Sequence, residues 1–386
     1  GKKTPLREPL GSGRVAGQDS VQAAVYRNQI YWFWGDTNRL AYPLGLFRTA
    51  GATSDLPANG GLPPSVGIHY DYFTNNDDFA RAMVDVENPK GVVWIDGVCT
   101  VDDESAVKKL VCHYSRRPGL ANAFEQGLMI YNDERNLFEV QTRIPVEDRW
   151  RYLQNHPILV REDGTDYLMS GIPFPVTRVP ARLDAVMNPE QYESWSCFAG
   201  DADPKTAKPI RDEAGQLDWG WRKGPPVTPE MEYRWLKEGL IQPEEARFTP
   251  VDADDPGHRI RMHTGSVYWN AHRKRYVLIA IEYALDKNSP SMLGEVWYSE
   301  AKTPQGPFQK AVRIVTHDRQ SFYNPCQHPF FDEENGRTIY FEGTYCNTFT
   351  NSPATPRYNY NQIMYRLDLD HPRLKTIFTR DVGVGN

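Results

Sequence analysis

Recurring tight turns divide the chain into strands too short for anything but a sheet-rich fold. The strand-like segments are about four to eight residues long, β-branched or aromatic, and partly alternating, as in Val21–Tyr26, Lys109–Tyr114 and Tyr276–Tyr283. Turn residues such as Glu162-Asp163-Gly164 separate them and are typical of antiparallel hairpins. The pattern predicts an all-β protein.

The hairpins fall into five blocks, and this grouping predicts the architecture. We draw the blocks at 15–55, 85–145, 150–200, 258–316 and 322–370. A block of about 50 residues with a few antiparallel strands cannot close a core alone and has to pack against its neighbours. We therefore expect residues 1–386 to form a single five-bladed β-propeller. A β-sandwich with long loops is the alternative.

Residues 201–256 do not fit the pattern of a blade. They are polar and proline-rich, and they contain one helix signal: Thr228 as N-cap, Pro229 at the first helical position and Gly239 as terminator. This stretch predicts a Pro-rich, partly helical insertion between two blades.

Composition excludes several classes of protein. The 386 residues carry a net charge of −6 with scattered Lys and Arg, which is not the footprint of a nucleic-acid binder. A hydrophobic share of 40%, with 21 Tyr, 16 Phe and 10 Trp, fills a large core and excludes disorder. No apolar run approaches about 18 residues, so we expect no membrane span. The five cysteines form no CxxC and are expected as buried apolar residues, a Cys326–Cys346 bridge being the alternative.

Two aromatic strands run directly into an aspartate. Trp32-Phe33-Trp34-Gly35 leads to Asp36, and Trp94-Ile95 leads to Asp96. If Ile30–Gly35 is the innermost strand of the first blade, Asp36 faces the central pocket, and Asp96 faces it from the second blade. Desolvation among aromatic rings tunes a carboxylate for acid/base work. An aspartate that caps its own turn is the alternative for each.

Two further acids are candidates for the partner of Asp36. Asp55 lies in a turn before Leu56-Pro57, where a solvated turn residue is the alternative. Glu342 lies on an apolar strand, where a carboxylate is costly unless it is paired or functional. The predicted catalytic carboxylates are therefore Asp36, Asp96, Glu342 and Asp55.

Aromatic side chains stack on the faces of sugar rings, and charged side chains form hydrogen bonds with the sugar hydroxyls. This chemistry predicts which residues contact the substrate. The candidates are Trp34, Arg48, His113, His263, Glu295 and His328. Histidines that satisfy the core are the alternative for His263 and His328, which are also able to bind a cation. We predict no metal site and no required cofactor, with room for a single structural divalent cation such as calcium.

Two short motifs resemble those of known carbohydrate-cleaving families. The run from Leu293 to Phe308 is similar to the blade signature of the arabinanase, xylosidase and invertase-like five-bladed propeller glycosidases. Trp34-Gly35-Asp36-Thr37, followed by Phe47-Arg48-Thr49 and Ser54-Asp55, resembles the opening of the sialidase-like domain that includes endo-D-arabinanases. The second resemblance implies Asp36 and Asp55 as catalytic carboxylates. The first implies one acid from each of three blades, for which Asp36, Asp96 and Glu342 are the nearest matches.

We therefore expect a glycoside hydrolase that acts on a polysaccharide or a derived oligosaccharide, with paired carboxylates flanking the glycosidic bond. A polysaccharide lyase with His113 or Tyr114 as base and Arg116 as neutraliser is one alternative. A non-catalytic carbohydrate-binding propeller is the other. The expected partner is a carbohydrate rather than a nucleic acid or a membrane, the expected location is secreted or periplasmic, and the oligomeric state is not predicted.

Overall fold

The computed structural model describes residues 5–7, 11–40, 45–46, 48–86, 91–284 and 291–377. The first strands of the chain are β1 (Val15–Gln18), β2 (Val21–Tyr26), β3 (Gln29–Trp34), β4 (Thr37–Arg39), β5 (Gly45–Leu46), β6 (Ala50–Asp55), β7 (Asp71–Tyr72) and β8 (Val84–Asp85). They are followed by β9 (Val92–Asp102), β10 (Lys108–Arg117), β11 (Glu125–Asn132), β12 (Leu137–Ile144), β13 (Ile158–Glu162), β14 (Thr165–Ser170), β15 (Thr177–Pro180), β16 (Glu193–Ser196) and β17 (Gly220–Arg222).

The last third of the chain adds β18 (Val251–Asp252), β19 (Met262–Asn270), β20 (Arg275–Glu282), β21 (Val296–Ala301), β22 (Lys310–Val315), β23 (Ser321–Gln327), β24 (Thr338–Cys346) and β25 (Asn361–Asp368). The α-helices are α1 (Leu183–Val186) and α2 (Pro229–Lys237). Short 3₁₀ turns occupy Ser12–Arg14, Pro57–Asn59, Pro189–Gln191, Pro243–Glu245, Pro329–Phe331, Glu334–Gly336 and Pro372–Ile377.

These strands build five blades, which confirms the predicted five-bladed β-propeller. In sheet order the blades are β2-β3-β6-β7, β9-β10-β11-β12-β8, β13-β14-β15-β16-β17, β19-β20-β21-β22-β18 and β23-β24-β25. Strand β2 contacts β9, and β19 contacts β23, so the first strand of each blade lies next to the axis. The prediction that Ile30–Gly35 is the innermost strand of blade 1 is wrong, because β3 is the second strand and β2 lies inside it.

Two blades receive their outermost strand from the segment that precedes them. Strand β8 pairs with β12, and β18 pairs with β22, each in parallel orientation. The chain therefore runs along the outer edge of blade 2 and of blade 4 before it enters each blade at the axis. A separate small sheet, β1-β4-β5, lies beside blade 1.

The hydrophobic core consists of separate layers between neighbouring blades, because each sheet is apolar on both faces. In order around the ring, the interfaces contain Phe33 with Tyr114, Val111 with Leu168, Phe174 with Val267, Val277 with Phe341, and Trp32 with Tyr340. The ring closes through hydrogen bonds from the backbone N–H of Ser20 to Oγ1 of Thr344 (3.0 Å) and from Nδ2 of Asn324 to Oγ of Ser20 (2.7 Å).

The proline-rich stretch 201–256 contains the predicted helix, but it is not only an insertion, because it supplies the outer strand β17 to blade 3 and β18 to blade 4. Helix α2 begins as expected, with the Thr228 side chain accepting a hydrogen bond from the Met231 N–H at 3.2 Å, and Gly239 follows it with φ +68°. Trp235 is fully buried and donates from Nε1 to the Ala207 carbonyl at 2.8 Å. The helix therefore packs into the layer between blades 3 and 4.

All five cysteines are buried and free, so the Cys326–Cys346 bridge considered above is not formed. Within the described ranges, none of the helices has the length and apolar character needed to cross a bilayer.

Candidate active site

Two aspartates meet where the first two strands of blade 1 end. Asp19 lies two residues before β2 and Asp36 two residues after β3, and these strands are antiparallel neighbours. The Asp19 N–H donates to the Asp36 carbonyl at 3.1 Å, and the Asp36 N–H donates to Oδ1 of Asp19 at 2.9 Å. The two aspartates therefore lie next to each other at one end of strands β2 and β3.

Asp19 is anchored by the last blade. Its Oδ2 accepts hydrogen bonds from the hydroxyls of Tyr323 (2.7 Å) and Tyr360 (2.9 Å). Burial raises the pKa of Asp19, and the hydrogen bonds from Tyr323, the Asp36 backbone and Tyr360 oppose that rise. Both of its oxygens are engaged, and the side chain has little contact with solvent.

Asp36 is more exposed than Asp19, and its pKa is raised. Its Oδ1 accepts a hydrogen bond from Nε1 of Trp94 at 2.7 Å. Burial raises the pKa of Asp36 from 3.8 to about 6, the charge of Asp19 adds to the rise, and the Trp94 hydrogen bond opposes it. Asp36 therefore titrates near neutral pH.

Asp96 lies on the innermost strand of blade 2, two residues after Trp94. Side chains two apart share one face of a strand, so Asp96 projects to the same side as the indole that contacts Asp36. Its Oδ1 accepts from the Asn155 N–H (2.6 Å), the Gly97 N–H (3.1 Å) and Nε2 of Gln22 (3.4 Å). Burial raises its pKa to about 6.

A glycine is required after Asp96 because two blades meet there. Gly97 has φ +65°, and a Cβ at this position would lie 2.3 Å from the carbonyl oxygen of Leu153. The Gly97 N–H also donates to the Asn155 carbonyl at 3.1 Å. The local sequence Asp96-Gly97 thus lets the strand of blade 2 touch the entry to blade 3.

Polar contacts continue around the axis below this point. Nδ2 of Asn155 donates to the carbonyl of Gly265 in blade 4, and the Gln327 N–H of blade 5 donates to Oγ of Ser266 at 2.9 Å. With the Gln22–Asp96 contact, all five blades contribute to this axial network. It holds Asp96 in place.

The structure does not bring Asp55 to this site. Strand β6 runs antiparallel to β3, with Ala50 opposite Trp34 and Asp55 opposite Gln29. Asp55 is exposed and accepts a hydrogen bond from Nε2 of Gln29 at 3.2 Å. A separation of about five residues at about 3.3 Å each puts it at the far end of the blade, so it cannot act together with Asp36.

Glu342 does not face this site either. It lies on β24, the middle strand of blade 5, and is 2% exposed. Its Oε1 lies 2.7 Å from Nε2 of His328, which is 1% exposed and contacts the Trp32 ring edge-to-face at 5.1 Å. The core alternative considered for His328 therefore describes its surroundings, and the two residues form a buried hydrogen-bonded pair between blades 5 and 1.

The remaining predicted contacts are dispersed. His113 is buried, stacks on Tyr152 at 3.9 Å, and burial lowers its pKa to about 3. Glu295 is buried in blade 4, where it accepts from Oγ1 of Thr316 at 3.0 Å and lies 3.3 Å from Nη1 of Arg313. Neither side chain is presented to a ligand at the axis.

His263 and Arg48 are the more accessible members of the predicted set. His263 is exposed near the beginning of β19, an innermost strand, and stacks on Tyr283 at 5.7 Å. Arg48 is partly buried, and burial together with the charge of Arg116 lowers its pKa. Phe47, part of the motif around Arg48, lies outside the described residues.

The base predicted for a lyase is already occupied. The Tyr114 hydroxyl donates to Oε1 of Glu125 at 2.7 Å, and Nη1 of Arg116 donates to Oε2 of the same residue at 2.8 Å. In the part of the chain that the structure describes, no group of three or more His, Cys, Asp or Glu side chains is arranged to hold a metal ion.

Sequence reasoning missed Asp19, Tyr323 and Tyr360. The signal for Asp19 was present: Asp19-Ser20 is a turn directly before a strand, and Ser20 has φ +54°. The more apolar character of β3 favours that strand as the innermost one and so directs attention to Asp36 instead of Asp19. The tyrosines lie more than 300 residues away in the chain, and no local pattern connects them to Asp19.

Comparison with known proteins gives structural similarity without sequence similarity. No family model matches the chain, and no curated protein sequence matches it. Similar solved structures include an exo-β-1,3-galactanase from Phanerochaete chrysosporium, with 9% identity and a TM-score of 0.42 over 92% of this chain and 61% of that chain. This chain therefore spans less than two thirds of the galactanase.

Two arabinanases also appear among the similar structures. An exo-1,5-α-L-arabinanase from a bovine ruminal metagenomic library has 11% identity and a TM-score of 0.42, covering 93% of this chain and 95% of that one. An endo-1,5-α-L-arabinanase from Thermotoga petrophila has 11% identity and a TM-score of 0.43, covering 92% and 72%. At such low similarity, the assignment of the fold rests on the strand order within this structure.

Proposed function

We propose that the protein is a glycoside hydrolase in which Asp36 protonates the glycosidic oxygen and Asp96 is the second carboxyl group of the reaction. The observation that carries the proposal is the placement of Asp36: a partly open carboxyl beside Asp19 and the indole of Trp94, whose pKa burial raises to about 6, as it does for Asp96. A general acid works best when its pKa lies close to the working pH.

Asp96 suits the partner role better than Asp19. Among the described residues, hydrogen bonds reach only Oδ1 of Asp96, so its Oδ2 is available to a water or a sugar carbon. Both oxygens of Asp19 are engaged by the Asp36 backbone and the tyrosines. Asp19 then acts on Asp36 through its charge, which keeps a proton on Asp36 at higher pH.

The residues around the two acids are suited to contact the sugar. Trp94 and the hydroxyls of Tyr323 and Tyr360 border the site, and they fit a sugar ring with its hydroxyl groups. The spacing of the two carboxyls in a complex with substrate would decide between retention and inversion.

The test is a panel of plant, algal and microbial polysaccharides with product analysis by ¹H NMR. We expect new reducing ends from at least one polymer and a loss of about 10²–10⁴-fold in rate for Asp36→Asn, the usual range for a lost general acid. Asp55→Asn is the matched control, an aspartate of the same blade at its far end, and should retain full activity.

Other outcomes separate the alternatives. An unsaturated product that absorbs in the ultraviolet identifies a lyase. Carbohydrate binding with no product from any polymer, unaffected by Asp36→Asn, identifies a binding propeller. Full activity in Asp36→Asn overturns the assignment of the acid, and full activity in Asp96→Asn overturns that of its partner.

A further inference from the structure

One face of blade 2 leads from the proposed acids to an arginine. Strands β9 and β10 are antiparallel, with Trp94 opposite Ser115 and Val92 opposite Arg117. Residues that lie opposite each other on neighbouring strands share one face of a sheet, as do residues two apart on the same strand. Trp94, Asp96 and Arg117 therefore lie on the same face of blade 2, with Trp94 between the other two along the strands.

Arg117 is held against the indole that contacts the proposed acid. Its guanidinium lies over the Trp94 ring, with Cζ 5.8 Å from the ring centre, and its Nε donates to Oγ of Ser115 at 3.1 Å. The same indole donates from Nε1 to Oδ1 of Asp36 at 2.7 Å. Trp34, which also precedes Asp36 in blade 1, is 1% exposed and packs in the layer between blades 1 and 5. Trp94 is therefore the tryptophan that connects Asp36 with a cation.

The terminal nitrogens of Arg117 are available to a ligand. On the other face of β10, Nη1 of Arg116 lies 2.8 Å from Oε2 of Glu125, whereas no described carboxylate forms an ion pair with Arg117. Arg117 is partly buried, and neither of its terminal nitrogens is one of the sealed polar atoms that lack a partner. Both therefore face space that solvent or a ligand can enter.

The positive charge of Arg117 predominates on this face in mildly acidic solution. Burial lowers the pKa of His113 to about 3 and raises that of Tyr152, its stacking partner, to about 12, so both groups are neutral. Burial raises the pKa of Asp96 to about 6, and backbone hydrogen bonds and the charge of Arg117 oppose the rise. Burial raises the pKa of Asp36 to about 6 as well. At pH 5 both acids are therefore mostly protonated, and an anion meets little repulsion from them.

A guanidinium of this kind matches a carboxylate better than a hydroxyl group. Its N–H groups form a planar fork that binds both oxygens of one carboxylate, and such charge-assisted hydrogen bonds are stronger than those to a neutral group. Asp19, Asp36 and Asp96 would repel an anionic sugar wherever they are ionised, and a cation held beside Trp94 offsets that repulsion. A sugar that carries its own carboxylate therefore gains more from Arg117 than a neutral sugar does.

We propose that Arg117 binds the carboxylate of a uronic acid residue in the substrate and thereby gives the protein a preference for acidic polysaccharides. This inference rests on the proposed function, because it places the uronic acid at the site of Asp36 and Asp96. Binding is measurable without hydrolysis, so the two proposals can fail separately.

The experiment measures binding of three acidic trisaccharides to the Asp36→Asn protein by calorimetry at pH 5. The probes are trigalacturonate, trimannuronate and triglucuronate, each compared with its carboxyl-reduced form, which is neutral and otherwise identical. We expect at least one uronate to bind about tenfold more tightly than its reduced form, and Arg117→Gln to abolish that difference. Arg161→Gln is the matched control, an exposed arginine of blade 3 that pairs with Asp166, and should retain the difference.

Folding is checked by near-ultraviolet circular dichroism, and Arg117→Lys, which keeps the charge but not the fork, is a second variant expected to keep only part of the preference. The inference is overturned if no uronate binds, if the reduced sugars bind as tightly, or if the preference survives Arg117→Gln. Equal weakening of both forms in Arg117→Gln also overturns it, since Arg117 would then only support Trp94. Uronate binding that depends on Arg117, without hydrolysis of any polymer, would overturn only the proposed reaction.

Discussion

Asp36 and Glu342 are both acids associated with aromatic strands, yet they occupy opposite kinds of environment. Asp36 is partly open, has the carboxyl of Asp19 beside it, and titrates near pH 6. Glu342 is closed between two blades and has a histidine beside it. Burial is the main cause of the raised pKa of Asp36 and the negative charge of Asp19 adds to it, whereas the neighbour of Glu342 is a hydrogen-bonding imidazole. The comparison teaches that the neighbour across the blade, rather than the strand that carries the acid, decides what a carboxyl group can do.

The largest effect on stability is expected from the buried pair. His328→Phe keeps an aromatic ring next to Trp32 but leaves Glu342 without its hydrogen-bonded partner. Leaving a buried acceptor unsatisfied typically costs about 1–3 kcal/mol, and more when the group is charged, and urea unfolding at pH 7 would measure the loss. Asp36→Asn is the control from the other region, and we expect no loss of stability there. An unfolding free energy of His328→Phe equal to that of the unaltered protein would refute a structural role for the pair.

The direction of the change in stability that we expect for Asp36→Asn follows from the raised pKa of Asp36. The unfolded chain releases this proton near pH 4 and the folded protein near pH 6. The free energy of unfolding therefore falls as pH rises through this window, and the charge of Asp36 disfavours folding above it. Removing that charge leaves the stability at pH 7 equal or greater.

An intermediate loss of stability is expected at Asp19. This side chain accepts hydrogen bonds from several donors, whereas Glu342 accepts one. Tyr323→Phe removes one hydroxyl and leaves the Asp36 N–H and Tyr360 in place. Hydrogen bonds to charged groups contribute about 1.5–3 kcal/mol, so the loss in urea unfolding should be smaller than for His328→Phe. A loss as large as that of His328→Phe would contradict the view that the remaining donors still hold Asp19.

Much of the fold could be predicted because turn residues mark it locally. The hairpin blocks match the inner strands of the blades but leave out outer strands such as β7, β17 and β18, and Thr228, Pro229 and Gly239 mark the start and end of α2 in the sequence itself. The order of the strands within a blade, from the axis outward, was harder to predict. Strand β3 is the most apolar of blade 1 because it is covered by strands on both sides, so hydrophobicity indicates the middle of a sheet and not its axial edge.

The candidate site could be predicted only in part for the same reason. Asp36 and Asp96 could be predicted because an acid follows aromatic residues of a strand in both cases, although Asp96 lies within its strand and not after it. The same pattern at Glu342 indicates packing between blades, since β24 is a middle strand. Asp19 depends on tyrosines contributed by the last blade, and the sequence alone gives no contact across more than 300 residues.

The smallest effect, a shift in pH dependence, tests whether Asp36 is the acid. The Trp94 hydrogen bond favours the ionised form of Asp36, so Trp94→Phe should raise its pKa. A general acid must be protonated, and the alkaline limb of kcat/KM reports the pKa of the acid in the free enzyme. We expect that limb to move to higher pH by up to about one unit, or about 1.4 kcal/mol. Trp269→Phe, at an exposed tryptophan of blade 4, should leave the profile in place. An unchanged limb in Trp94→Phe would show that the group that gives the proton is not bonded to Trp94 and is therefore not Asp36.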